Sequence, residues 1–94
     1  MTKKELRQLR LIGLDAAITK TYFSKKDKLT TAEKNEYERC TGVLRAIYYI
    51  SPNEWDRIIS FIKEHFSEKY AIYSGNLFRI TATLKGDYYK QYKQ

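Results

Sequence analysis

Leu77-Phe78-Arg79-Ile80-Thr81-Ala82-Thr83-Leu84 decides the fold, because it reads two ways. Phe78, Ile80, Ala82 and Leu84 alternate with Arg79, Thr81 and Thr83, the period of a strand with one wet face. Leu77, Ile80, Leu84 and, further on, Tyr88 fall at helical spacing instead. Locally, two threonines and Gly86 lean towards a strand, since β-branched residues suit a pleated surface and glycine weakens a helix interior. As a strand, the segment pairs through a turn at Ser74-Gly75-Asn76 and the fold is α+β: three helices plus a C-terminal β-hairpin over 70–84. As a helix opened by Ile80-Thr81, it is the second half of a helix-turn-helix. The reading adopted is the second: mainly α, a small helical bundle with a C-terminal helix-turn-helix.

Upstream, three helices announce their starts. Thr2-Lys3-Lys4-Glu5 and Thr30-Thr31-Ala32-Glu33 are capping boxes, in which a hydroxyl accepts an early amide and a glutamate reaches back. Ser51-Pro52-Asn53-Glu54 combines a favoured N-cap, a proline suited to the first helical position and a glutamate three residues past the cap. Behind these signals lie apolar rows. The first is Leu6, Leu9, Ile12 and Ala16, with Leu14 and Ile18 beside it, in a helix predicted to run to about Tyr22. Next come Tyr37, Cys40, Leu44 and Ile47, flanked by Val43 and Tyr48. Gly42 lies in this helix and predicts close packing against a neighbour, since glycine there otherwise costs up to about 1 kcal/mol. The third row, Trp55, Ile58, Ile59, Ile62 and Phe66, is the expected centre of the core. Ser67 then caps a short helix carrying Tyr70, Ala71 and Tyr73, ended by Gly75-Asn76.

Ninety-four residues make a single domain, 1–94. Its charge is uneven. Residues 1–30, a basic helix and loop, hold eight Lys/Arg against three acids. Residues 31–66, the helical core, hold five against six, and residues 67–94, the helix-turn-helix, five against two. With a net charge of +7, the ends are the expected contact surfaces for an acidic partner, nucleic acid first. The last ten residues carry three tyrosines and three lysines, groups that meet phosphate oxygens and bases.

Enzyme chemistry finds no foothold. Cys40 and His65 are each the sole residue of their type, twenty-five positions apart, with no metal-ligand spacing. Cys40 sits in an apolar row, as a buried inert thiol does, and His65 reads as a residue near a helix C-terminus, facing its dipole. Thr83-Leu84-Lys85-Gly86 lacks the spaced glycines of a phosphate loop. No cofactor or metal is expected. One cysteine, no long apolar run and no signal-peptide pattern predict a cytoplasmic protein with no membrane span.

The order of features resembles small phage regulators of the ArpU/RinA type, late-gene transcription activators with a sigma-factor-like helix-turn-helix tail. The resemblance lies mainly in residues 44–94. It is carried by Leu44-Arg45-Ala46-Ile47, Trp55-Asp56-Arg57-Ile58-Ile59, Ile80-Thr81 and Tyr88-Tyr89-Lys90, with a basic opening helix over Lys3–Arg10. It implies a non-enzymatic DNA-binding transcription regulator of phage or mobile-element origin, acting on double-stranded DNA. On that reading Arg79, Lys85, Lys90 and Lys93 neutralise phosphates, and Thr81, Thr83 and Tyr88 or Tyr89 approach the groove. Lys3, Lys4, Arg7 and Arg10 extend the footprint. The alternative is a small interaction module or inhibitor that docks on an acidic host protein, since tyrosine and arginine are favoured at such surfaces. A homodimer paired through the first helix's apolar row is a further expectation.

Overall fold

A computed structural model describes residues 1–92 and contains four helices, with no strand among the described residues. They are α1 (Lys3–Ser24), α2 (Thr31–Ile50), α3 (Pro52–Ile72) and α4 (Leu77–Gln91). The mainly α expectation holds. The hairpin over 70–84 does not form.

Both threonine boxes close as their local sequence dictates. Thr2 Oγ1 accepts from the Glu5 amide at 3.1 Å and Thr30 Oγ1 from the Glu33 amide at 3.1 Å, with each glutamate reaching back to its cap amide. The third start differs. Ser51 is the N-cap and Pro52 the first helical residue, yet the Ser51 side chain makes no cap bond. Glu54, expected to complete that box, turns inward to Arg10.

The helices run up, down, up, down. Lys20 lies over the Tyr37 ring at 5.3 Å and Lys26 pairs with Glu33, so α2 returns along α1. Arg10 meets Glu54, so α3 rises beside α1. Phe61 meets the Tyr88 ring edge-on at 5.2 Å, and Arg57 lies over Tyr92 at 5.1 Å, so α4 runs back along α3. Helices α1 and α3 form the centre, touching each other and both outer helices, while α2 and α4 do not touch. The bundle is accordingly flat, 39 × 26 × 18 Å.

Its core joins Leu14 and Ile18 of α1, Cys40 and Leu44 of α2, Ile58, Phe61 and Phe66 of α3, and Ile80, Leu84 and Tyr88 of α4. Those last three recur every fourth residue, so a helix buries all of them on one side. Covering large side chains at roughly 1.5–3 kcal/mol each outweighs the strand preference of two threonines. The turn before α4 uses Gly75 at φ +83°, a conformation glycine adopts without strain, and Asn76 Oδ1 then caps the helix by accepting from the Arg79 amide at 3.1 Å.

Several expectations are corrected. The separate short helix over 67–73 does not exist; those residues continue α3 to Ile72, which leaves His65 well inside the helix. Asn76, rather than Thr81, opens α4. The core face of α3 is turned towards Phe61, with Trp55 and Ile59 only half-buried at its edge. In α1 the burial lies on Arg10, Gly13, Leu14, Ala17 and Ile18, and Ile12 is 53% exposed. Of the rest of that apolar row, Ala16 is buried and Leu6 and Leu9 are half-buried. Gly42 is exposed with no neighbour where a Cβ would stand. The close approach is at Gly13, where a Cβ would come within 2.7 Å of Ile58 Cδ1 and 2.8 Å of Ile47 Cδ1.

Candidate nucleic-acid interface

Because Ile80, Leu84 and Tyr88 face inward, the opposite face of α4 is settled by the same periodicity. Arg79, Thr83, Gly86 and Lys90 follow one another at steps of four, three and four and form one row, with Arg79, Gly86 and Lys90 exposed and Thr83 half-buried. Ala82 lies beside it, and Phe78 stands 83% exposed at its start. No acid interrupts this row. The only acid of α4, Asp87, turns aside to Lys69 at 3.5 Å. Between the two cations the side chains are small, which lets a ligand come close to the helix backbone. At about 1.5 Å per residue, Arg79 and Lys90 start about 16 Å apart along the axis.

The running directions bring a second set of charges to the same end. Asp15 of α1 holds Lys85 of α4 at 2.5 Å, and Arg10 lies within electrostatic reach of Tyr88 and Tyr89. The start of α1 therefore lies towards the end of α4, and Lys3, Lys4 and Arg7 are exposed in the first two turns of α1.

Other expected contact residues are committed elsewhere. Arg10 is 3% exposed and donates two hydrogen bonds to Glu54, at 2.7 and 2.8 Å, so it offers nothing to a phosphate. Hydrogen bonding to Glu54 raises the Arg10 pKa, and the same bonds hold the Glu54 carboxyl below the usual carboxylate range. Tyr88 is fully buried, and burial pushes its phenol up to about 12. Tyr89 packs edge-on against it at 5.7 Å, half-buried, with its hydroxyl enclosed. Thr81 lies on the other side of α4 from that row, and Lys85 is paired to Asp15. Lys93 lies outside the described residues. What remains of the expected set is Arg79, Thr83 and Lys90 on α4 with Lys3, Lys4 and Arg7 on α1. Phe78, which the sequence reading did not place among the contact residues, joins them.

Among the described residues no group of histidine, cysteine or carboxylate side chains is arranged to hold a metal ion. Cys40 is buried and its thiol is pushed up, first by burial, as suits an inert core residue. His65 packs against Phe61 at 4.5 Å between centroids, with the rings tilted by 41°. No described helix is long and apolar enough to cross a membrane.

A second surface lies between α1, α2 and α3, with no residue of α4 in it. It is an open groove of about 910 Å³. Ala17, Leu44, Ile59 and Ile62 contribute apolar surface to it, and Tyr48, Tyr49 and Trp55 contribute aromatic rings. Its charged lining residues are Lys20, Arg45, Lys63 and Asp56. Three helices supply these residues, so no single periodic pattern announces the groove.

Comparison of the chain with protein-family models, with curated proteins and with solved structures finds no match.

Proposed function

We propose that the protein is a non-enzymatic DNA-binding regulator that applies the outward face of α4 to a DNA duplex. The observation that carries this reading is the acid-free row Arg79, Thr83, Gly86 and Lys90. Its cations stand about 16 Å apart by helical rise, wide enough to address phosphates on both walls of a major groove about 12 Å across. Small residues between them permit close approach of the helix, with Thr83 available to a base edge. Lys3, Lys4 and Arg7 extend the contact along the backbone, and the net charge of +7 steers the encounter. The resemblance to ArpU/RinA-type phage regulators points the same way.

Fluorescence anisotropy with a labelled random-sequence duplex tests the proposal across a salt series. Five cations on this surface give a log–log slope of about −4 to −5. Arg79→Ala and Lys90→Ala each flatten it by about one unit, whereas Lys34→Ala on α2, which does not touch α4, leaves it in place. Absence of binding at low salt, or equal losses from Lys34 and Lys90, removes the proposal.

A further inference from the structure

We propose that the groove between α1, α2 and α3 docks an acidic amphipathic helix from a partner protein. This goes beyond duplex binding and does not depend on it, since no residue of α4 lines the groove.

Charge is the first argument. Lys20, Arg45 and Lys63 reach the groove from three different helices, against one lining acid, Asp56. Among the described residues neither Arg45 nor Lys63 has an ion-pair partner, in contrast to Arg39 with Glu36 or Lys26 with Glu33. Cations left unpaired beside an apolar trough favour a ligand that carries carboxylates alongside apolar anchors.

The floor supplies the second argument. Ala17, Leu44 and Ile62 are buried core residues whose surface closes the trough, and Ile59 stands half-buried in its wall. The two threonines there direct their hydroxyl protons to their own helices, Thr21 to the Ala17 carbonyl at 2.7 Å and Thr41 to the Tyr37 carbonyl at 3.0 Å. The trough thus calls for aliphatic or aromatic side chains, which an amphipathic helix delivers at steps of three and four residues. About 910 Å³ is ample for such anchors.

The aromatic rings argue against single-stranded nucleic acid. Stacked bases need open ring faces in series. Tyr48 is engaged by Tyr49 at 5.9 Å and by Trp55 at 5.2 Å, both edge-on, and the Lys20 ammonium covers Tyr37. Tyr49, 76% exposed, is the most open of these rings, and the neighbouring Tyr48 is held between it and Trp55.

Trp55 is the sole tryptophan and lines the groove, so its emission reports occupancy directly. The probe is a synthetic amphipathic peptide of about 18 residues, long enough to hold a helix, with Leu and Phe on one face and Glu on the other. A matched peptide carries Gln in place of every Glu, and a thymidine oligonucleotide serves as the nucleic-acid comparator. The expected result is a blue shift of Trp55 emission with the acidic peptide. Binding should weaken roughly tenfold in the Lys20→Gln, Arg45→Gln, Lys63→Gln triple variant, whose fold is checked by circular dichroism. Arg79→Ala with Lys90→Ala, which weakens duplex binding, leaves the peptide affinity unchanged. No shift with the acidic peptide, equal affinity for its Gln counterpart, or an unaltered triple variant overturns the proposal. Tighter binding of the oligonucleotide with the same shift overturns it in favour of a nucleic-acid groove.

Discussion

Arg10 of α1 and Glu54 of α3 form a two-pronged ion pair, Nε to Oε2 at 2.7 Å and Nη2 to Oε1 at 2.8 Å, with 3% and 7% of the residues exposed. It fixes the register of the two central helices, because a slide of either by one turn separates the fork from the carboxylate. Removing Glu54 leaves the buried Arg10 charge alone, which costs about 3–5 kcal/mol, and removing Arg10 leaves Glu54 only the longer contact to Arg57 at 3.9 Å. Arg10→Ala and Glu54→Ala should each lower the urea midpoint sharply. The double change Arg10→Met, Glu54→Leu should recover most of the loss, because no charge is then stranded. Additive losses in the double variant would contradict this.

The same pair sets an acid limit. The Arg10 bonds depress the Glu54 pKa in the folded state, so folding gains from its ionisation. That contribution is complete above the ordinary carboxylate value, near 4.5, and is lost as pH falls through the lower folded value. Unfolding midpoints measured from pH 7 down to pH 2 should show a decline in that window that is smaller in the Arg10→Met, Glu54→Leu variant, where Glu5, Glu33 and Glu36, each also held below the usual carboxylate range by hydrogen bonds, still contribute.

Tyr88 behaves in the opposite sense. Its folded pKa is raised to about 12 from 10.0, mainly by burial, so its contribution is complete below about pH 10 and is lost as pH rises through about 12. Among the described residues its buried hydroxyl has no hydrogen-bond partner. Tyr88→Phe removes the desolvated group without opening a cavity and should be neutral or stabilising by about 1 kcal/mol. In ultraviolet phenolate titration, the component near pH 12 should disappear in that variant.

Two helical glycines should respond with opposite signs. Gly86 stands exposed in α4 with open space where a Cβ would go, so Gly86→Ala should stabilise by up to about 1 kcal/mol. At Gly13 the added methyl meets the Cδ1 ends of Ile47 and Ile58, both buried, and both side chains must shift within a close-packed core to admit it. Overpacking of this kind costs about 1–3 kcal/mol, against a helical gain of at most about 1, so Gly13→Ala should destabilise. Thermal melts followed by circular dichroism read both changes.

Local sequence was sufficient for the first two helix starts. Thr2 with Glu5 and Thr30 with Glu33 close their boxes within three residues, and the geometry of one turn completes them without help from the rest of the chain. The charge that marks Arg79, Lys90, Lys3, Lys4 and Arg7 as surface was legible for the same reason: a solvated cation needs no partner. Tertiary structure decided the rest. Glu54 carries the local signature of a capping residue, and Arg10 that of a surface cation. Each turns inward because the other, 44 positions away, stands across the α1–α3 contact. Residues 77–84 lean towards a strand by local preference, yet Phe61 and the central helices bury Ile80, Leu84 and Tyr88 together only if the segment is helical. The groove beneath Trp55 is drawn from three helices, and its existence depends on how far α2 and α3 stand apart over α1. Hydrogen bonds within one turn are set by neighbours in the chain. Burial and ion pairing are set by neighbours in space, which only the packed bundle supplies.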